Sequence, residues 1–388
     1  MGAEFEPDLA WLRAKPGTKW AAAGEGVLPA WIADMDFAAP EPVRAALTAL
    51  VDGGDLGYPV WLHEGTPLRA EFAARMRLRY GWDPDPAHVR EFSDIIQALQ
   101  AVLYVTTAPG DAVALHVPAY PPFLNTVPQM GRTLVPIPVS RDGAGDWTFD
   151  AEAFARDVTE RNVRVLVLVN PHNPTGRVFT RTELAALAEI AHQHDLLVIS
   201  DEIHADLAYA PHEHVPFASL SPDAARRTVT LTSATKAFNI AGVRCAVAHV
   251  GAEWVRDAFT RLPPFLLGDV GQPGVVATLA AWQQGDAWLA GVRERLDANR
   301  GLLTAALTAA GVRVDPPQAT YLAWLDFRGT GIDGDPAAYV LDKAKVKLSP
   351  GPDFGPGGDG FARLNFAAPA SVLTEICDRI AGALPRAQ

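Results

Sequence analysis

Short apolar runs alternate with amphipathic stretches through the middle of the chain. The apolar runs are rich in Val, Leu and Ile and are bounded by turn residues, which is typical of strands buried on both faces of a parallel sheet. They predict strands over residues 112–117, 164–169, 196–200, 228–232 and 244–250. Apolar residues recur at helical spacing over 94–105 and 180–194. This alternation predicts an α/β domain that binds its ligand at the carboxyl ends of the strands.

The pattern changes near residue 285. Beyond it we expect a long helix over 287–310, strands over 321–327 and 361–366, and helices over 336–345 and 371–384. This order predicts a smaller α+β domain at residues 286–388 after a large ligand-binding domain at 46–285. The first 45 residues have no regular pattern, and we expect them to pack with the small domain.

Composition restricts the class of protein. The chain has 388 residues, 49% of them hydrophobic and 20% charged, which fits a globular two-domain protein. A net charge of −12 argues against binding nucleic acid through its phosphates. No apolar stretch of membrane-spanning length and no signal peptide are apparent, so we expect no membrane association. The two cysteines, Cys245 and Cys377, are too few for a disulfide framework and favour the reducing cytoplasm.

Several histidines cluster in or near one Pro-rich loop. His212 and His214 flank Glu213, while His204 and His192 lie nearby in sequence. Their spacing matches no zinc-binding signature. We therefore predict a solvated surface and no metal site.

Lys236 is the first candidate for chemistry. An isolated lysine is usually a solvated surface charge, but Lys236 follows the predicted strand 228–232 and lies among small and hydroxylated residues. The carboxyl end of a strand faces the ligand crevice, where a lysine amine can form a Schiff base. Ser233 and Arg244 are close enough in sequence to bind a phosphate on the same ligand.

Polar residues also follow two other predicted strands. Asp201 follows strand 196–200, where a carboxylate can hold a proton on the ring nitrogen of pyridoxal 5'-phosphate (PLP). Without Lys236, a helix N-cap would be the favoured interpretation of Asp201. Asn173 follows strand 164–169 and can donate its amide to a ring oxygen. The helix start at Ile95 and Ile96 offers free N–H groups to an anion.

Taken in order, these motifs resemble the fold-type I PLP enzymes of the aminotransferase superfamily, over nearly the whole chain. Within it, the chain is similar to the MalY/PatB-like branch of cystathionine β-lyases and C–S lyases. The stretches that carry the resemblance are Thr-Lys-Trp at 18–20, Pro-Ala-Trp-Ile-Ala-Asp-Met-Asp-Phe at 29–37, Gly-Tyr-Pro at 57–59, Tyr-Pro-Pro-Phe at 120–123, Asn-Pro-His-Asn-Pro at 170–174, Ser-Asp-Glu-Ile-His at 200–204 and Lys-Ala-Phe-Asn-Ile-Ala-Gly at 236–242. The sequence motifs at 33–37 and 201–204 distinguish this branch from aspartate-type aminotransferases, which usually carry Tyr in place of His204.

The resemblance implies a fold and a set of roles. The fold is a large domain built on a mainly parallel seven-stranded sheet flanked by helices, plus a smaller α+β domain. Lys236 would bond to PLP and move the Cα proton. Around the PLP ring, Asp201 would pair with the pyridine nitrogen, Asn173 and His204 would bond the ring hydroxyl, and Tyr120 would stack on the ring. The phosphate would be bound by Ser233, Arg244 and the amides of Ile95 and Ile96, joined by Tyr58 from the partner subunit of a homodimer. Arg363 would bind the substrate carboxylate, and Asn173, Asp34 and Tyr58 would also contact the substrate.

The resemblance implies β-elimination on L-cystathionine or another cysteine S-conjugate, giving a thiol, pyruvate and ammonia. The same residues would also serve an aminotransferase, which is the alternative, and a PLP-binding regulatory protein is a third. Two residues depart from the family pattern: Asp94 stands where relatives often carry glycine, and Ala119 replaces a larger residue that is common before Tyr120. An acidic group at position 94 would oppose a phosphate unless it caps the helix.

Overall fold

The computed structural model describes residues 5–62, 64–143, 145–263 and 265–385. Within these ranges the helices are α1 Leu9–Arg13, α2 Thr18–Ala21, α3 Glu41–Asp52, α4 Leu68–Tyr80, α5 Ile95–Thr106, α6 Pro121–Gln129, α7 Ala151–Glu160, α8 Arg181–Gln193, α9 Pro222–Arg226, α10 Ala234–Ala237, α11 Glu253–Thr260, α12 Gln272–Gln284, α13 Asp286–Ala309, α14 Pro336–Ala344 and α15 Ala370–Ala383. The strands are β1 Leu28–Pro29, β2 Val89–Phe92, β3 Ala112–Val117, β4 Thr133–Arg141, β5 Trp147–Phe149, β6 Val163–Val169, β7 Leu197–Asp201, β8 Thr228–Thr232, β9 Ala246–Val250, β10 Arg313–Val314, β11 Leu322–Asp326, β12 Val346–Lys347, β13 Ser349–Pro350 and β14 Phe361–Asn365.

The largest sheet has the strand order β2-β9-β8-β7-β6-β3-β4-β5. Its central pairs, from β8 through β4, are parallel, whereas β9 and the two edge strands β2 and β5 pair antiparallel. The predicted α/β class is confirmed. The sheet has eight strands instead of the predicted seven, because the short β5 folds back and extends the edge formed by β4. The apolar pattern also missed β4, whose Pro136 and Pro138 are unusual in a strand.

Both faces of this sheet are buried by helices. On β3, Val113 and Leu115 belong to one hydrophobic core and Ala112 and Ala114 to another, as the two-residue period of a strand requires. This explains why the central strands are almost continuously apolar. Several helices begin at side chains that cap their free N–H groups. For α8, Thr180 and Glu183 form a reciprocal capping box.

A smaller antiparallel sheet, with the order β10-β11-β14-β13, lies in the C-terminal part of the chain. Strand β14 carries Arg363, whose direct neighbours across the sheet are Trp324 on β11 and Ser349 on β13. Near the N-terminus, β1 pairs in parallel with β12. No helix in the described part of the chain is both long enough and apolar enough to cross a bilayer.

The predicted solvated surface is wrong for part of the histidine cluster. His214 is buried, and its Nε2 lies 3.0 Å from Oε2 of Glu202. The other Glu202 oxygen accepts hydrogen bonds from Ser200 and from the backbone of Phe217. His204 is buried as well. A loop of mixed polarity does not reveal which polar side chains turn inward to a buried partner.

Candidate active site

Three neighbouring parallel strands deliver polar residues to one cavity. Asn173 follows β6, Asp201 ends β7, and Lys236 lies on α10 directly after β8. Since β6, β7 and β8 are adjacent and parallel, their carboxyl ends meet at the same edge of the sheet. The cavity at this edge has a volume of about 420 Å³ and is lined by Asn173, Asp201 and Lys236 together. The sequence prediction that these residues share a crevice is therefore matched by the geometry.

Lys236 donates from Nζ to the backbone carbonyl of Ala33, at 2.9 Å. Burial is the main reason that the pKa of Lys236 lies below the ordinary lysine value; Arg363 lowers that pKa further, while Asp34 and Asp201 oppose the shift. A lysine with a lowered pKa is more often neutral, and the neutral amine is the nucleophile in Schiff-base formation.

The carbonyl that receives Lys236 belongs to a segment at residues 31–37 that is tied down by distant side chains. Tyr321 donates its hydroxyl to Ala33, at 2.9 Å. Asn365 donates to the carbonyl of Asp34, at 2.7 Å, and Asn239 donates to the carbonyl of Phe37, at 2.8 Å. Sequence reasoning assigned no role to these three donors. Asn239 lies three residues after Lys236 and Asn365 lies two residues after Arg363, and this closeness in sequence is the signal that could have identified them.

Asp201 is buried and lines the cavity. Its Oδ1 accepts a hydrogen bond from the backbone N–H of Ile203, at 3.1 Å. Burial raises the pKa of Asp201 to about 7, against the lowering effects of the Ile203 N–H and Lys236. Few groups around Asp201 stabilise its negative charge. A cationic group beside Asp201 would lower its pKa and stabilise the ionised carboxylate.

Residues that suit an anion line part of the same cavity and form what we call the anion cup. The start of α5 brings Ile95 and Ile96 to the wall, together with Ser233 and Arg244. Helix N-termini attract anions through their free N–H groups. Arg244 has a left-handed backbone, with φ of 55°, a conformation that non-glycine residues adopt at a cost and often at functional sites. Thr235, which sequence reasoning missed, also lines the cup, and its hydroxyl oxygen lies 2.9 Å from that of Ser233.

Asp94 and Arg244 form an ion pair at the rim of this cup. The other oxygen of Asp94 caps α5 by accepting from the N–H of Gln97, at 2.8 Å. Asp94, which departs from the family pattern, thus has two roles: it caps α5 and it pairs with Arg244. An anionic ligand in the cup would share Arg244 with Asp94 or draw it away.

Arg363 is buried against Asn173, just outside the lining of this cavity, and has several hydrogen-bond partners. It donates to Oδ1 of Asn173, at 3.0 Å, to the carbonyl of Trp31, at 3.0 Å, and to the hydroxyl of Ser349, at 3.2 Å. Burial lowers the pKa of Arg363 to about 10. Its Nε is buried without a hydrogen-bond partner. A buried guanidinium with an unused donor is suited to bind a carboxylate.

Two rings complete the walls. Tyr120 stands at the start of α6, is half-buried and lines the cavity. His204 also lines it, and its Nδ1 is buried without a partner. Burial, reinforced by the charges of Lys236 and Arg363, lowers the pKa of His204 to about 3. The imidazole is therefore neutral at physiological pH, and a ligand could engage its unused nitrogen.

Three predicted site residues, Arg363, Asp34 and Tyr58, do not line this cavity. Arg363 contacts Asn173 and Asp34 follows Ala33, so both lie beside the cavity, whereas Tyr58 lies in solvent. It is 93% exposed. It lines a separate groove with Arg90, Glu91 and Asp269. Within a single chain, Tyr58 therefore does not belong to the cavity that contains Lys236.

These residues suit PLP. Lys236 matches the aldehyde, the cup at α5 matches the phosphate, and Asp201 matches a protonated ring nitrogen. The unused Nδ1 of His204 and the amide of Asn173, whose oxygen is already bound by Arg363, provide polar groups for the ring hydroxyl. The donor set therefore fits the charge distribution of the cofactor.

Comparison with known proteins gives consistent results. The family model for aminotransferase class I and II matches residues 39–380. The chain is 36% identical to cystathionine beta-lyase PatB of Bacillus subtilis over 376 residues, covering 94% of this chain and 96% of the relative. It is similar to the PLP-bound C–S lyase from Staphylococcus hominis, with TM-score 0.91 and 28% identity over 99% and 98% of the two chains. It is also similar to N-succinyldiaminopimelate aminotransferase from Mycobacterium tuberculosis, with TM-score 0.86 and 31% identity over 97% and 100%.

Proposed function

The chain belongs to the aminotransferase class I and II family, and from this premise we propose that it is a PLP-dependent carbon–sulfur β-lyase. Its substrate is L-cystathionine or a related cysteine S-conjugate. The proposal is carried by a cavity that contains Lys236 and Asp201, with Arg363 hydrogen-bonded to its wall at Asn173, in a chain that matches a cystathionine β-lyase over nearly its full length. The similarity to an aminotransferase keeps amino-group transfer as the second candidate, because both reactions use the same residues.

Each residue has a task in the elimination. Bound PLP would supply an electron sink for the pair of electrons left at Cα when its proton is removed. Arg363 holds the substrate carboxylate, which fixes Cα beside Lys236. The amine of Lys236 accepts the Cα proton, and Asp201 keeps the proton on the ring nitrogen. The Cβ–S bond then breaks and the thiolate leaves with its electron pair; addition of water gives pyruvate and ammonia.

One assay separates the two candidate functions. The holoenzyme is incubated with L-cystathionine, with and without a 2-oxo acid. The lyase proposal predicts pyruvate and a free thiol in equal amounts without any acceptor. A product that forms only when the 2-oxo acid is present would overturn the proposal in favour of an aminotransferase. No product under either condition would argue against both activities on this substrate.

Arg363→Lys tests the carboxylate clamp. Lysine keeps the positive charge but loses the planar fork that binds a carboxylate through two hydrogen bonds. We expect kcat/KM for amino-acid substrates to fall by about 100-fold or more, while the cofactor absorption band stays unchanged. The measurement is steady-state kinetics together with an absorbance titration of substrate binding. Unchanged substrate affinity would remove Arg363 from the substrate site.

We further propose that the enzyme is a homodimer in which Tyr58 serves the active site of the partner subunit. Its 93% exposure in one chain supports this, as does the exposure of Leu56, Val60 and Phe265. Exposed apolar groups of this kind are typical of an interaction surface. In the dimer, Tyr58 would contact the cofactor phosphate and the substrate of the neighbouring subunit.

Subunit complementation tests this arrangement. Lys236→Ala and Tyr58→Ala are each expected to be poorly active alone. After the two variants are unfolded and refolded together, half of the dimers should be mixed, and each mixed dimer holds one intact site. We expect recovery of about a quarter of wild-type activity from a two-fold symmetric dimer. If Tyr58 served the site of its own subunit, mixing would restore nothing.

We propose a cytoplasmic location on the basis of the cysteines. Cys245 and Cys377 are both buried and unpaired. Burial raises the pKa of each thiol, to about 11 for Cys245 and about 12 for Cys377, so both stay protonated. Such thiols behave as apolar side chains and suit a reducing compartment.

A further inference from the structure

A second cavity lies beside the Lys236 cavity, on the side of the small sheet. Its volume is about 390 Å³. One wall is the exposed side of α14, with Ala338 and Leu341, and another is the chain around Leu348 and Phe354. Trp31 closes a third side. The residue roles described so far leave this space unused.

The two cavities share a boundary. Tyr120 lines both of them. Arg363 lines the second cavity and donates to Asn173, which lines the first. A substrate whose carboxylate is bound by Arg363 therefore has its Cα at the junction, and a group attached beyond Cβ can extend past Tyr120 into the second cavity.

The lining of the second cavity is mainly apolar. It includes Leu341, Leu348, Pro350 and Phe354. An apolar lining favours binding of an apolar group, because the free energy gained by removing apolar surface from water grows with the area buried. A flat aromatic or branched aliphatic group would fit both the volume and the lining.

Four charged residues line this cavity: Asp335, Lys347, Asp353 and Arg363. Asp353 is exposed to solvent, whereas the other three have partners within the chain, those of Arg363 being given above. The ammonium of Lys347 donates to the carbonyl of Ala22, at 2.8 Å, and lies 3.9 Å from the ring centre of Trp31. The carboxylate of Asp335 caps α14 through the N–H groups of Ala337 and Ala338. The ammonium of a zwitterionic substituent such as that of L-cystathionine could approach Asp353. Its carboxylate would have to compete for Lys347 or Arg363 or remain unpaired, and removing an unpaired charge from water is costly.

We propose that this second cavity binds the sulfur substituent of the substrate, and that the preferred substrates are cysteine S-conjugates with an uncharged apolar group of about benzyl size. The proposal rests on the proposed lyase function and specifies its substrate class. Binding would place the leaving thiol in the second cavity while Lys236 and Arg363 act on the amino-acid part.

The test compares S-benzyl-L-cysteine, S-methyl-L-cysteine and L-cystathionine on the holoenzyme. The apparent Kd of each is measured from the change in the cofactor absorption band, and pyruvate release is measured in parallel. We expect the benzyl conjugate to bind at least about 10-fold more tightly than the methyl conjugate, as for added hydrocarbon in an apolar pocket. We also expect it to bind more tightly than L-cystathionine.

Ala338→Trp fills the second cavity from α14 and should remove most of the benzyl-to-methyl preference. Asp342→Trp is the matched control, because Asp342 is exposed on the same helix and does not line the cavity. It should leave the preference unchanged.

Equal affinities for the benzyl and methyl conjugates would overturn the proposal. So would a Kd for L-cystathionine equal to or below that of the benzyl conjugate, or an Ala338→Trp variant that keeps the wild-type preference. Absence of pyruvate from all three conjugates would contradict the lyase function, whereas the Kd values would still decide whether the second cavity binds the substituent.

Discussion

Lys236→Ala is expected to abolish both the visible absorption of the bound cofactor and the activity. The amine of Lys236 is the group that bonds to PLP and accepts the Cα proton, and no other lysine lines the cavity within the described residues. Loss of the proton-transfer group should lower kcat by about 10⁴-fold. The measurements are the absorption spectrum of the purified protein with added PLP and the rate of pyruvate release.

Lys343→Ala provides the control for this substitution. Lys343 is an exposed lysine on α14, outside both cavities. Its replacement should preserve the absorption band and the rate. A Lys236→Ala protein that kept either the band or a substantial rate would show that another group carries the cofactor.

Asp201→Asn is expected to have the second largest effect. Asparagine has nearly the same shape but no charge, so it cannot hold a proton on the ring nitrogen. The electron sink is weakened, and we expect kcat to fall by about 10² to 10³-fold, as when one preorganised electrostatic partner is removed from a transition state. Cofactor binding should persist because Lys236 and the anion cup remain. The measurements are kcat and the cofactor content of the purified variant.

The adjacent carboxylate offers a matched control. Glu202 points away from the cavity, toward His214 and Ser200. Glu202→Gln removes an equal charge from the next residue and should lower kcat far less than Asp201→Asn. If the two variants lost activity equally, the effect would be due to the local fold and not to a charge at the ring nitrogen.

Much of the site follows from rules that connect sequence to sheet geometry. Polar residues at or shortly after the carboxyl ends of buried parallel strands face the ligand crevice, and this rule places Asn173, Asp201 and Lys236 together. The predicted strand 112–117 has the same bounds as β3, because its apolar run ends abruptly at a turn. The same reasoning gave the family and the fold class, which the comparisons confirm.

Other features could not be predicted because they depend on contacts between distant residues. Lys236 donates to Ala33 across about 200 positions, and no local pattern indicates which carbonyl it will meet. The inward turn of His214 depends on the buried Glu202. The edge strand β5 is only three residues long, which is too short for a recognisable period. The second cavity arises only when α14 packs beside Trp31 and Tyr120.

The most direct test of the account is to locate the cofactor on the chain. Borohydride reduction of the holoenzyme fixes PLP to the lysine that carries it, and digestion followed by mass spectrometry identifies that lysine. We predict one phosphopyridoxyl group per chain, on Lys236. A phosphopyridoxyl group on any other lysine, or no labelled peptide from a protein that retains activity, would contradict the account.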